Sequence, residues 1–234
     1  AKLSPRRIVF TDGDHEKIIR AAHILVDEGI CHPILIGKEE RIRRLAERHN
    51  VPLTGVEIVE IKDDQQFEHF KELLWEDRQR KGLTRRGAHR GLLDSTVYGC
   101  MMVKNNLADG LLGGVAIPYA ETLRPSLKVL GRDPLSKVIS GVYVMLCQGR
   151  RLFFGDCTVN IKPDAETLAQ IAINTARIAQ TFGEKPRIAM LSYSNFGSNS
   201  SDEHMPIIRK AIQLVKDIDP SLEIDGEMQA DIAV

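Results

Sequence analysis

The sequence has few of the residues that build metal centres or disulfide frameworks. Its 234 residues include four cysteines, Cys31, Cys100, Cys147 and Cys157, with no C-x-x-C pair and no Cys/His spacing of the kind that holds zinc. The seven histidines are scattered, and none has a partner at metal-ligand spacing. We therefore predict buried, reduced thiols and no metal site.

Long apolar runs and an excess of one charge are also missing. Lys plus Arg and Asp plus Glu number 32 each, so the overall charge gives no reason to expect nucleic acid or an acidic membrane as a partner. No apolar run approaches the roughly 20 residues of a membrane span, and the N-terminus lacks the apolar core of a signal peptide. The sequence predicts a cytoplasmic protein.

The motifs of several large enzyme classes are absent as well. The chain has no Walker loop, no G-x-G-x-x-G and no G-x-S-x-G, so no motif indicates a kinase, a dehydrogenase or a hydrolase. What is present is an ordinary globular composition, with 43% hydrophobic and 27% charged residues.

Short apolar runs alternate with longer stretches of helical period, which is the pattern of βαβ units around a buried parallel sheet. The sequence predicts one helix over residues 85–105. The predicted fold class is α/β with mainly parallel strands, and its main strands are expected at residues 7–10, 33–37, 56–61, 110–114 and 187–191.

A hairpin signal interrupts this alternation. Two strand-like runs flank Gln148-Gly149-Arg150, and we place a domain boundary just before them, which gives domains at 1–138 and 139–234. After the strand signal at 222–224 the sequence shows no further covering helix, so we expect the second domain to be incomplete on its C-terminal side.

The first candidate binding site is the serine-rich stretch at 191–201, which follows a predicted buried strand and precedes a helix predicted to begin near Asp202. Loops at the carboxyl ends of parallel strands line the ligand crevice of open α/β sheets. Small residues let backbone N–H groups approach an anion, and a helix N-terminus adds partial positive charge. An ordinary helix-capping loop has the same composition, so both interpretations stay open.

Two arginines form the second candidate. Arg78 lies at the basic end of a long amphipathic helix, and Arg124 lies just after a glycine-rich loop. Guanidinium groups bind phosphates through two parallel hydrogen bonds, which suits a phosphorylated ligand. Each arginine is equally compatible with a solvated surface position near a helix end.

An acidic cluster, DGEMQAD at 225–231, is the third candidate. Its three carboxylates would suit a divalent metal or general-base chemistry, but the spacing lacks the periodicity of an EF-hand loop. A turn with capping acids explains the cluster as well.

Taken together, five ordered motifs resemble the phosphate acetyl/butyryltransferase family, and the resemblance runs through nearly the whole chain. These motifs are RQRKGLT at 78–84, YGCMMV at 98–103 with ADG at 108–110, ETLRP at 121–125, MLSYS at 190–194 with GS at 197–198, and DGEMQAD at 225–231.

The resemblance implies two three-layer α/β/α domains of the isocitrate/isopropylmalate dehydrogenase type, with acyl-CoA in a cleft between them. It also implies an acetyl-CoA and phosphate site and a homo-oligomer, a dimer or higher. The residues expected at this site are Arg78, Arg124, Ser192, Ser194, Asn195, Gly197 and Ser198.

Two departures from the family pattern favour a subgroup. Asn195-Phe196 replace a Thr-Lys pair, and Met228 replaces a leucine, as in the domain that follows the catalytic half of NADP-dependent malic enzymes. The loss of a lysine removes a positive charge from the loop. In such a protein the upstream malic enzyme part, which oxidatively decarboxylates malate to pyruvate, would hold NADP and a divalent metal, and this domain would hold no cofactor.

The resemblance also predicts that no catalytic residue lies in this chain. The family's catalytic Ser-Arg pair and general-base Asp come from a segment downstream of Val234. The main prediction is therefore a domain that binds acetyl-CoA as a regulatory ligand and supports oligomerisation. The alternatives are an active phosphate acetyltransferase and a purely structural oligomerisation domain.

Overall fold

The computed structural model describes residues 1–134, 136–198 and 204–234. The chain forms two compact units, Ala1–Gly131 and Arg132–Val234. The boundary between the units, after Gly131, lies a few residues before the boundary after residue 138 that the sequence predicts.

The first unit is built on a parallel sheet of four strands in the order β3-β2-β1-β4. Its strands are β1 (Arg6–Phe10), β2 (Cys31–Ile36), β3 (Glu57–Val59) and β4 (Gly110–Leu112). Its helices are α1 (Glu16–Asp27), α2 (Glu39–Arg48), α3 (Phe67–Arg78), α4 (Arg85–Leu92), α5 (Ser95–Lys104) and α6 (Tyr119–Val129). The predicted α/β class with mainly parallel strands is confirmed.

Both faces of this sheet are covered, because successive side chains of a strand point to opposite sides. Val9 belongs to a buried cluster shared with α3 and α5, whereas the next residue, Phe10, belongs to a cluster shared with α1 and α2. Helix α5 lies close to the sheet at Gly99, where a Cβ atom would be 2.8 Å from Leu111 Cδ1 and 3.0 Å from Val9 Cγ1.

The helix predicted over 85–105 is two helices. Asp94 has an extended backbone, and its carboxylate accepts hydrogen bonds from the backbone N–H groups of Thr96 and Val97. This cap starts α5 and ends the continuity with α4, because a capping residue lies outside the helical φ/ψ region.

The second unit contains an antiparallel hairpin, a pair of parallel strands and three helices within its described residues. In the turn of the hairpin, Gln148 and Gly149 have φ values of 49° and 79°, as a two-residue type I′ turn requires. The elements are β5 (Val142–Cys147), β6 (Arg150–Gly155), α7 (Ala165–Thr181), β7 (Arg187–Leu191), α8 (His204–Ile218), β8 (Glu223–Met228) and α9 (Ala230–Ala233). The predicted start of α8 near Asp202 lies outside the described residues.

The four cysteines are free thiols, but they do not share one environment. Cys31 and Cys100 are buried, as predicted, and burial raises the pKa of both thiols. Cys147 and Cys157 are exposed, so the prediction of burial is wrong for these two. The apolar runs around them belong to the β5–β6 hairpin, whose residues are largely solvent-accessible.

None of the helices in the described parts of the chain has the length and apolar character of a membrane span.

Candidate anion-binding groups

In the first unit, the loops after β1 and β4 are joined at the carboxyl edge of the sheet. The Asp12 carboxylate accepts hydrogen bonds from the backbone N–H groups of Gly114 and Val115, at 3.0 and 3.1 Å. The glycine-rich loop that precedes α6 is thereby fixed beside the end of β1.

Two threonine hydroxyls at this edge have no hydrogen-bond partner among the described residues. Thr11 is 4% exposed, and its Oγ1 lies so near Gly113 that a Cβ on that glycine would be 2.3 Å away. Thr122 Oγ1, in the first turn of α6, is the second buried hydroxyl without a partner. Pro118, the residue before α6, provides no side-chain cap, so N–H groups at the start of this helix add donors that favour an anion.

Arg78 contacts the helix that carries Arg124. Its Nη1 donates to the carbonyl oxygen of Lys128 at 3.3 Å, and its buried Nε has no partner among the described residues. Arg124 lies one helical turn before Lys128, is exposed, and makes no ion pair within the described residues. Both guanidinium groups therefore belong to one region of the first unit, while their shared contact with a phosphate stays a prediction.

In the second unit, the loop at 192–198 follows β7 and is attached to β8. Asn195 and Gln229 form a reciprocal pair: Asn195 Nδ2 donates to Gln229 Oε1 at 2.8 Å, and the Gln229 backbone N–H donates to Asn195 Oδ1 at 2.7 Å. The predicted site residue Asn195 thus holds the loop against the end of β8.

Most backbone donors of this loop are used within the protein. Ser192 donates to Met228 O, Ser194 to Ser192 Oγ, Asn195 to Ser198 Oγ, and Ser198 to Asn195 O, at 2.9–3.1 Å. Ser194 is buried, and its hydroxyl pairs with that of Ser198 at 3.1 Å. The expectation that small residues free the N–H groups for an anion is therefore not met at these four positions.

A buried carboxylate lies beneath the same loop. Glu227 is 1% exposed; its Oε1 accepts from Gly197 N–H at 2.6 Å and from Arg209 Nη2 at 3.0 Å, and its Oε2 accepts from Arg209 Nε at 3.1 Å. The hydrogen bonds from Arg209, aided by that from Gly197, outweigh burial and lower the pKa of Glu227 to about 2. The carboxylate is therefore ionised at neutral pH.

The acidic cluster differs from both of its sequence interpretations. Residues 225–228 are part of β8 instead of a turn, and within the described residues no group of His, Cys, Asp and Glu is arranged to hold a metal. Sequence reasoning missed the pairing of Glu227 with Arg209. The available signal was an acidic residue next to an apolar one, Met228, in the predicted acidic cluster, but nothing local identifies a partner 18 positions away.

Comparisons with known proteins place these observations in a family. The model of the family described as phosphate acetyl/butaryl transferase matches residues 1–234. The phosphate acetyltransferase of Bacillus subtilis is 38% identical over 97% of this chain and 70% of its own length, and that of Haemophilus influenzae is 36% identical over 100% of this chain. The chain spans 33% of the length of the Haemophilus influenzae protein.

Solved structures agree with these matches. A phosphotransacetylase from Streptococcus pyogenes superposes with a TM-score of 0.89 at 36% identity, covering 98% of this chain and 70% of that one. The EutD phosphotransacetylase from Staphylococcus aureus has a TM-score of 0.88 at 29% identity, with the same coverage.

These matches correct the predicted function. Relatives that match 97–100% of this chain at 35–38% identity are named phosphate acetyltransferases, so the prediction of a regulatory domain of an NADP-dependent malic enzyme is wrong, together with its oxidoreductase activity and NADP. That prediction depended on Asn195, Phe196 and Met228. Asn195 is explained by its pairing with Gln229, which carries no information about an attached oxidoreductase.

Proposed function

The chain belongs to the phosphate acetyl/butaryl transferase family, and we propose that its function is phosphate acetyl transfer, the interconversion of acetyl-CoA plus phosphate and acetyl phosphate plus CoA. The substrates would be acetyl-CoA and inorganic phosphate. The names of its relatives and the match of the family model to residues 1–234 support this assignment.

One structural observation carries the proposal: two buried hydroxyl groups, those of Thr11 and Thr122, lie together at the carboxyl edge of the first unit's sheet and have no partner among the described residues. The Nε of Arg78, which contacts the other end of α6, is a further buried donor without a partner among these residues. Buried donors of this kind are rare unless a ligand or water uses them. Since all of them can donate, they are suited to the oxygens of a phosphate.

The chemistry requires little more of these residues than binding and orientation. In the direction of acetyl-CoA synthesis, the CoA sulfur attacks the carbonyl carbon of acetyl phosphate, a C–S bond forms, and the C–O bond to phosphate breaks. The thiol proton leaves with a base, and phosphate departs as the leaving group. Guanidinium groups such as those of Arg78 and Arg124 would hold the phosphates of CoA and so orient its thiol.

Several expectations from the family resemblance are part of this proposal. They are the pair of three-layer α/β/α domains with a substrate cleft, the homo-oligomer, and a reaction that uses no cofactor. Each stays a prediction.

The first experiment measures binding and transfer for two arginine variants. Arg78→Ala and Arg124→Ala should weaken CoA binding about 10- to 100-fold, because each removes charge-assisted hydrogen bonds to phosphate. Calorimetric titration with CoA gives the affinity, and thioester formation from acetyl phosphate gives the rate.

The matched control is Arg44→Ala, since Arg44 is an exposed arginine of α2 in the same unit. It should leave both measurements unchanged. Wild-type affinity in both arginine variants would remove them from the site, and a wild-type protein that neither binds CoA nor forms the thioester would contradict the proposed function.

A further inference from the structure

The loop at 192–198 needs a positive group if it is to bind an anion, because its backbone offers few donors. Besides the four N–H groups already described, Phe196 N–H donates to Glu227 O at 2.9 Å, and Gly197 N–H donates to the Glu227 carboxylate. The loop itself contains no lysine or arginine.

Arg209 supplies a positive group at this loop from outside it. The side chain comes from α8, and its Nη2 lies 3.4 Å from the position that a Cβ on Gly197 would occupy. Two of its five donors are used by Glu227, and no other partner of its guanidinium occurs in the described parts of the chain. The side chain is 51% exposed, so one edge of the guanidinium is held while the rest is accessible.

Glu227 fixes this arrangement through both its backbone and its side chain. Its carbonyl oxygen binds Phe196, its carboxylate binds Gly197, and these two residues have φ values of 43° and 89°. A non-glycine residue such as Phe196 rarely adopts a positive φ, so the conformation depends on these contacts. The same carboxylate holds Arg209 through two parallel hydrogen bonds.

A purely structural role explains this pair less well. A buried carboxylate with a half-exposed guanidinium partner can often be replaced by apolar side chains of similar size without loss of stability. The geometry here adds something that apolar packing cannot supply, because one carboxylate sets both the turn at Gly197 and the direction of a half-exposed guanidinium.

We infer that Arg209 is a substrate-binding residue that contacts the phosphate group of the acyl phosphate or of inorganic phosphate at the 192–198 loop, and that Glu227 is its positioning residue. This inference rests on the proposed function, which supplies the phosphate-bearing substrate. It assigns to α8 the positive charge that the loop itself lacks.

The kinetic test separates the two substrates. Arg209→Met should raise the KM for acetyl phosphate about 10- to 100-fold and leave the KM for CoA within about twofold, because a charge-assisted hydrogen bond to phosphate is lost. Arg209→Lys should recover part of the loss, since it keeps the charge without the parallel hydrogen bonds. Glu227→Gln should raise the same KM, because the guanidinium is then held less firmly.

A double variant distinguishes binding from stability. Arg209→Met with Glu227→Leu removes both charges and restores an apolar contact, so it should be more stable than Arg209→Met alone. Its KM for acetyl phosphate should nevertheless remain high. If the double variant regained the wild-type KM, the pair would be structural and the inference would be overturned.

The control is Lys210→Met on the same helix, since Lys210 forms an exposed ion pair with Glu166. It should change neither KM. If Arg209→Met had the wild-type KM for acetyl phosphate, the inference would be overturned. Normal transfer activity in that variant would still be consistent with the proposed function.

A binding measurement keeps this inference separate from the proposed function. Inorganic phosphate added to the wild-type chain should shift the NMR signals of Arg209 Nε–H and of the Gly197 amide, and Arg209→Met should abolish the Gly197 shift. Phosphate-dependent shifts in a protein without transfer activity would support the site while contradicting the proposed reaction. Absence of any shift at these signals would overturn the site.

Discussion

Glu227 links a single carboxylate to the acid stability of the second unit. Its pKa lies near 2, below the ordinary value of 4.5, so the native state favours the ionised form. A lowered pKa contributes stability that is fully present above the unfolded-state pKa and is lost as pH falls through the native one. The contribution therefore disappears between about pH 4.5 and pH 2.

We compare the free energy of unfolding of wild type with that of Glu227→Gln. The advantage of wild type should be larger at pH 6 than at pH 2, by about 2–3 kcal/mol. Glutamine keeps the size of the side chain but has no proton to gain in this range. Denaturant unfolding of both proteins at several pH values measures this difference. The contributions of the other carboxylates to the pH dependence are the same in both proteins and cancel. A difference that is independent of pH would show that the Glu227 carboxylate is not specially stabilised.

Tyr98 is the corresponding buried polar residue of the first unit. It is fully buried, its hydroxyl donates to Asp64 Oδ2 at 2.7 Å, and its ring packs edge-on against Phe70 at 5.3 Å. Burial, and secondarily Asp64, raises the pKa of the phenol.

Tyr98→Phe should lower the free energy of unfolding by about 1–2 kcal/mol, because the partly buried Asp64 carboxylate loses a donor while the ring packing is kept. Tyr143→Phe, at a half-exposed position, should change it by less than about 0.5 kcal/mol. Chemical denaturation measures both. Equal effects of the two substitutions would show that the Asp64 contact contributes nothing.

Two helical glycines differ in what lies beside them. At Gly99 in α5, a methyl group would overlap Leu111 and Val9 of the sheet, whereas at Gly91 in α4 the nearest atom, Leu74 Cδ2, is 4.0 Å away. Alanine is favoured over glycine inside a helix by about 1 kcal/mol, so only the packing decides the sign.

Gly99→Ala should therefore destabilise the chain by about 1–2 kcal/mol, and Gly91→Ala should stabilise it by about 0.5–1 kcal/mol. Thermal unfolding followed by circular dichroism compares them directly. Stabilisation by Gly99→Ala would mean that α5 moves away from the sheet at little cost.

Elements with a clear period were predictable from the sequence, and their ends were less so. The spacing of apolar residues predicts helices α1 and α3, and short apolar runs predict strands β1 and β2. Local spacing is sufficient here because it determines which face of each element is buried. The break before α5 depends on Asp94, whose capping role needs a specific backbone conformation. An aspartate within an apparently continuous helical pattern does not by itself show that the helix ends there and a new one begins.

The candidate site shows the same limit at longer range. The sequence identified Arg78 and the serine-rich loop as candidates by their residue types. It did not identify Arg209 or Thr11, and it singled out Glu227 only as one acid of the 225–231 cluster. The roles of these residues depend on whether they pair with residues distant in sequence, which local sequence does not show.

Over the whole molecule, the two units have separate hydrophobic clusters. The sheet of Ala1–Gly131 has a buried cluster on each face, and the described part of the second unit has one of its own, around α7 and α8. A unit with its own core is expected to fold by itself.

We predict that residues 1–131 expressed alone unfold cooperatively, because both faces of their sheet are already covered. Thermal denaturation and NMR signal dispersion test this directly. As a control, Gly99→Ala should lower the stability of this fragment by the same amount as in the whole chain. A fragment without a cooperative transition would show that its core requires residues beyond 131.

The contrasting environments of the cysteines allow selective chemical labelling of the second unit. Cys147, at the end of β5 beside the hairpin turn, and Cys157, just after β6, are open to solvent, whereas Cys31 and Cys100 are enclosed and their raised pKa values disfavour the reactive thiolate. A maleimide dye or nitroxide should therefore attach to the native sequence at the turn of the hairpin and just after its second strand, and leave the first unit unlabelled. Fluorescence or electron paramagnetic resonance would then follow the second unit selectively, without any substitution.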